Sequence, residues 1–197
     1  AQGLTNYING KDWYGDDTRD NLKDATRNYA VSDTAKSTPG YNVRAFGGGR
    51  MKHFSQRDPR WNHGTDMAAS GCGPTAAAMV GSAYGDNRSP LTANAMFYGM
   101  GMRAGDGGTN PAFFNQYAQS ANYGMAQGPN SSAMVARNLN KGQPVVMMGM
   151  GGPYGSGMHY MVADKMNGRG SVNVVDPYTG GSKSVNLRRL MKNTSST

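Results

Sequence analysis

Ser70-Gly71-Cys72-Gly73-Pro74-Thr75-Ala76-Ala77-Ala78-Met79 is the stretch on which the fold of this chain turns. It holds the single cysteine of the 197 residues, placed where a glycine-flanked turn runs into a helix. Pro74 suits a first helical turn, where its missing N–H would be unbonded in any case. The small residues at 76–78 let that helix pack closely against a neighbour. A thiol at a helix N-terminus feels unpaired backbone N–H groups and the positive end of the helix dipole, and both favour thiolate. The arrangement suits a nucleophile, although a small buried cysteine without chemistry fits the same spot.

A nucleophilic thiol needs a base, and histidine occurs only at 53, 63 and 159. His159 opens an apolar run, His159-Tyr160-Met161-Val162-Ala163, that reads as a strand. A second strand, Ser171-Val172-Asn173-Val174-Val175, ends at Asp176-Pro177. Asn167-Gly168 between them is the central pair expected of a type I′ hairpin turn. Counting outward from that turn sets position 159 directly opposite 176, on one face, with Cβ atoms about 4.5–5.5 Å apart. A carboxylate there fixes the ring's tautomer and steadies the imidazolium. Cys72, His159 and Asp176 thus follow the logic of nucleophile, base and orienting group. The plain alternative is a surface histidine beside a turn aspartate, and a one-residue slip in register would part the two side chains.

Five blocks now form a pattern: Phe54-Ser55-Gln56-Arg57-Asp58-Pro59-Arg60-Trp61, Gly71-Cys72-Gly73-Pro74-Thr75, Gly142-Gln143-Pro144-Val145-Val146, Gly157-Met158-His159-Tyr160-Met161-Val162 and Val174-Val175-Asp176-Pro177. In this order, across about residues 51–180, the sequence resembles papain-like cysteine peptidases of the bacteriocin-leader-processing (double-glycine) type, and most closely their stand-alone bacterial and phage branch. The resemblance implies Cys72 as nucleophile, His159 as base and Asp176 as orienting carboxylate. It implies Gln56 as the oxyanion-hole side chain, acting with the backbone N–H of Cys72. A neutral amide suits that role, because it stabilises negative charge on an attacked carbonyl without demanding a proton. Asp58 and Trp61 read as structural supports of the Gln56 loop. Gly71, Gly157 and Met158, next to the two reactive residues, are the candidate substrate-binding positions. Papain-like folds also host amidases, transglutaminases and acyltransferases, so the likeness speaks to thioester chemistry more than to substrate.

The rest of the chain reads as α+β. Residues 1–46 are polar and poor in large aliphatics, an arm or linker with a short polar helix around 15–24, and Gly47-Gly48-Gly49 marks a hinge before a catalytic domain at 47–197. Ser89-Pro90 caps a helix running to about Tyr98. Residues 99–108 look too glycine-rich for regular structure. Helices follow at 111–123, stopped by Gly124, and at 132–140, then strands at 145–148, 159–165, 171–176 and 182–187. The architecture expected is papain-like: an N-terminal helical part carrying the nucleophile helix, packed on a C-terminal antiparallel sheet.

The net charge is +8, from scattered Lys and Arg including Lys183, Arg188, Arg189 and Lys192. A basic surface concentrates polyanions. Nucleic acid is disfavoured by the lack of an aromatic-and-basic stripe; anionic cell-wall polymers match better for a wall-degrading enzyme, and a generic basic surface is the plain alternative. The many methionines read as plastic core filler, and no Cys/His cluster has metal-ligand spacing, so neither metal nor cofactor is expected. Gly151-Gly152-Pro153-Tyr154-Gly155-Ser156-Gly157 lacks the lysine of a phosphate loop and reads as a rim beside His159. No run of 18 apolar residues provides a membrane span. The chain begins at Ala1 without a signal peptide, as a mature or excised piece would, and an extracellular or virion-associated setting is expected. The function expected is a cysteine peptidase acting on peptidoglycan in a phage-tail or secreted system. The alternatives are a protease cleaving after Gly-Gly or processing itself, and a non-catalytic virion module.

Overall fold

Gly71 ends one helix and begins the next. The computed structural model describes residues 28–31, 50–62, 65–104, 108–128, 131–150, 154–155 and 157–195. Two short helices, α1 (Pro59–Asn62) and α2 (Met67–Ser70), lead through Gly71 into α3 (Cys72–Ala83). No side chain caps α3, and Pro74 lies in its first turn, where no intrahelical N–H is lost. A Cβ on Gly73 would lie 2.2 Å from the Thr109 hydroxyl oxygen, so only glycine lets this turn approach so closely.

Beyond α3 come α4 (Pro90–Gly99), capped as expected by Ser89, whose Oγ accepts from Thr92 N, then β2 (Arg103–Ala104) and β3 (Gly108–Thr109). The latter two form a small antiparallel ribbon that overlaps the stretch expected to be irregular. Glycine did not prevent strand pairing there, because Asn110 N–H donates to Met102 O and closes the ribbon's base. Helix α5 (Ala112–Ser120) is shorter than the expected 111–123, since Asn122 turns into the left-handed region before Gly124 is reached. There follow β4 (Met125–Gly128), α6 (Ser132–Asn140), β5 (Val145–Met150), β6 (Met158–Met166), β7 (Ser171–Val175), β8 (Ser182–Asn186) and α7 (Leu187–Ser195). Of the expected N-terminal arm, Asn28–Val31 form β1; the helix around 15–24 and the hinge at 47–49 lie outside the described residues.

One antiparallel sheet runs in the order β4-β1-β5-β6-β7-β8. Along β5, Val146 and Met148 join a core with Ala76, Val80, Phe97, Phe113, Phe114 and Tyr117, under α3, α4 and α5. Val145 and Met147 join a second core with Val135, Leu139, Leu187 and Leu190, under α6 and α7. The sheet is therefore covered by helices on both faces, which is why β5 and β6 are near-continuous apolar runs. The basic Arg188, Arg189 and Lys192 are exposed on α7, an amphipathic helix not expected from sequence. The α+β architecture, with the Cys72 helix packed on an antiparallel sheet, is the one expected.

The β6–β7 hairpin departs from the expected register. Met166 pairs with Val172 rather than with Arg169, a displacement of three, because the turn is longer than a two-residue I′ turn. Gly168, Arg169 and Gly170 all take positive φ within it. An odd displacement alone would put His159 and Asp176 on opposite faces. A bulge at Asp164 takes up one residue, so that Val162 pairs with Val175 instead of Asn173, a displacement of two. Parity is restored. His159 and Asp176 share a face as diagonal neighbours rather than as the directly opposed pair that the I′ turn implied.

Candidate active site

The diagonal gap is bridged by the imidazole. His159 Nε2 donates to Asp176 Oδ1 at 2.6 Å, and Tyr178 N–H donates to the same oxygen at 2.9 Å. The turn from β7 to β8 holds the aspartate rigidly, with Asp176 N–H donating to Gly181 O and Gly180 N–H to Asp176 O. With Nε2 engaged by Asp176, the other influence on the ring is Cys72, whose thiol lies near enough to favour the charged imidazole. Burial works against a charged imidazole, but the hydrogen bonds and charges of Asp176 and Cys72 outweigh it and raise His159 to about 9. Burial likewise pushes the Asp176 carboxyl up, and His159, the Tyr178 N–H and Lys183 together bring it below its usual value. Both shifts favour an imidazolium beside a carboxylate, with Cys72 among the groups that stabilise the positive ring.

Gln56 ties the two halves of the site together. Its backbone N–H donates to Pro177 O at 2.6 Å, next to Asp176, and its Nε2 donates to Ala68 O, four residues before Cys72. The side chain is 2 % exposed, and its Oε1 is buried without a hydrogen-bond partner. Trp61 and Asp58 brace this loop. Trp61 Nε1 donates to Ser55 O at 2.7 Å and its ring meets Phe54 edge-on, while Asp58 pairs with Arg60. Ser55 Oγ in turn donates to Tyr178 O.

A cleft of about 620 Å³ opens beside His159 and Asp176. Gly157 and Met158 line it, as do Tyr154, Met161, Tyr178 and Lys183. Gly71 does not. It is buried against Met67, where a Cβ would meet the Met67 carbonyl oxygen at 2.5 Å, and it joins α2 to α3. Tyr154, Tyr178 and Lys183 were not singled out as site residues from sequence. Tyr178 follows the Asp-Pro corner and so had a local signal; Lys183 had only its charge, and Tyr154 comes into the cleft by packing over Gly149.

Among the described residues no group of three or more His, Cys, Asp or Glu side chains is arranged to hold a metal ion. Nor is any described helix long and apolar enough to cross a membrane. What the geometry offers is an imidazole and a carboxylate hydrogen-bonded to each other in the wall of an open cleft, with the Cys72 thiol, outside that lining, acting on the imidazole. No curated protein matches the chain. The sequence profile of the Peptidase_C39 like family matches residues 50–195, a span that takes in Gln56, Cys72, His159 and Asp176 and every described element except β1. The chain belongs to the Peptidase_C39 like family, and its α+β architecture agrees with the papain-like fold expected of such a peptidase.

Proposed function

We propose that this protein is a cysteine peptidase that hydrolyses an amide bond through a thioester on Cys72. The observation that carries the reading is one imidazole coupled to two partners, Asp176 at 2.6 Å and the Cys72 thiol. In this mechanism the Cys72 sulfur attacks the scissile carbonyl carbon, its proton residing on His159. Negative charge develops on the carbonyl oxygen, facing the Cys72 backbone N–H and the Gln56 amide. His159 then protonates the departing amine, the C–N bond breaks and the thioester remains. Water, deprotonated by His159, attacks that thioester, releasing the carboxylate product and restoring the thiol. Asp176 keeps the ring in one orientation throughout.

The substrate we propose is the peptide of bacterial peptidoglycan, met outside the cell or from a phage tail. The net charge of +8 supports this, since a basic enzyme accumulates on an anionic wall. Iodoacetamide labelling across about pH 4–9 tests the chemistry. Rapid alkylation well below the free-thiol pKa of about 8.5, lost in His159→Ala, is the expected result. Slow alkylation unchanged by that substitution would instead favour a non-catalytic binding module. Purified wall and a Gly-Gly peptide, offered in parallel, separate wall lysis from protein processing.

A further inference from the structure

We infer that Lys183 makes the cleft beside His159 a subsite for a carboxylate, so that the preferred substrate carries an acidic group close to the scissile bond. The inference rests on the peptidase reading above and names a class of substrate for it. Strand register supplies the geometry. Lys183 pairs with Val174, two residues before Asp176, and therefore projects on the sheet face that carries Asp176, Met161 and His159. All four line one cleft of about 620 Å³.

Charge supplies the chemistry. Among the described residues, Lys183 is the single lysine or arginine of the cleft lining, and Asp176 is its single acid. The Oδ1 of Asp176 is already engaged by His159 and by the Tyr178 N–H, and the adjacent imidazolium offsets its charge. The Lys183 side chain is exposed and forms no ion pair or hydrogen bond with the described residues, although its charge reaches Asp176 and helps to lower it. Arg57, which is not among the lining residues, sets its guanidinium 4.9 Å from the centre of the ring of Tyr178, which is. An uncommitted ammonium on a flexible stem, in a cleft whose acid is already engaged, attracts a carboxylate as a point charge. A substrate without one leaves Lys183 in water at no loss. Discrimination is then modest, as for other partly solvated pairs.

Two labels of matched shape test this without a known substrate: the iodoacetyl derivatives of aspartic acid α-amide and of asparagine amide. Each alkylates Cys72 with loss of iodide, and they differ only in a carboxylate against a neutral amide. In the wild type the aspartate label should react roughly three- to fivefold faster than the asparagine label, and the preference should shrink as salt rises. Lys183→Gln should reduce the ratio by about that factor, Lys183→Arg should restore it, and Lys183→Glu should invert it. A ratio unchanged in all three variants overturns the inference. So does an equal slowing of both labels in Lys183→Gln, which would make the lysine a supporting charge for Asp176. Failure of the peptidase reading looks different: both labels would react as with an ordinary thiol, and His159→Ala would change neither rate.

Discussion

His159 is pulled two ways, and the balance has a measurable consequence. Burial disfavours its charge, whereas Asp176 and Cys72 favour it and raise its pKa from 6.5 to about 9. A base with a raised folded-state pKa contributes stability that is complete below its unfolded value. That contribution is lost as pH climbs from about 6.5 through about 9. Asp176 is shifted down, so its contribution is present above the ordinary carboxylate value of 3.8 and is lost on acidification. Thermal unfolding of wild type and His159→Gln should therefore differ most at about pH 5–6.5, and the two Tm curves should converge towards about pH 9–10. Parallel curves would mean that folding does not shift the imidazole's pKa. At this scale the sequence was most legible: it named Cys72, His159 and Asp176, the residues on which the proposed chemistry rests. The demand for glycine at position 73 was not legible as packing, because it comes from Thr109, a residue remote in sequence.

The strands show how a wrong register can place the right pair. A two-residue turn at Asn167-Gly168 was the local expectation, and it misjudged both the turn and the bulge. The two departures, three residues and one, leave an even displacement, and parity alone decides whether His159 and Asp176 face each other. Asn173 Nδ2 donates to Asp164 Oδ1 at 2.7 Å, clamping the bulge. Asn173→Ala should loosen that clamp, and the pH profile of Cys72 alkylation should then move towards that of His159→Ala while the chain stays folded. A fall in Tm with an unmoved profile would show the clamp to be structural only. The amphipathic spacing of Leu187, Leu190 and Met191 is equally present in the sequence, but the basic residues beside them give the segment the look of a charged surface stretch. Leu190 is fully buried beneath the sheet, so Leu190→Ala should cost about 2–5 kcal/mol in denaturant unfolding without altering the site's pH profile.

Across the whole molecule, the decisive feature is a sheet covered on both faces. β1 lies between β4 and β5, with Ala30 paired to Ala126 on one side and to Val145 on the other. Ala30→Pro removes an N–H from this ladder and introduces a ring into it, and should lower the Tm by several degrees. An unchanged Tm would mean that β1 contributes little to the sheet's stability. Four short apolar or mixed residues, Asn28-Tyr29-Ala30-Val31, carry little periodic signal on their own, and β4 was missed for the same reason. Strands this short are specified by the partners that flank them rather than by their own pattern.

By itself the sequence determined the chemistry available and the α+β order: a thiol at a helix start, an imidazole and a carboxylate on one hairpin, and helices followed by strands. Those features are local, set by residue type, capping and periodicity within one element. Tertiary structure decided the pairing of His159 with Asp176, the bracing of Gln56 between Ala68 and Pro177, and the appearance of Lys183 and Tyr154 in the cleft. Each depends on register and on packing between remote segments, which no local pattern encodes.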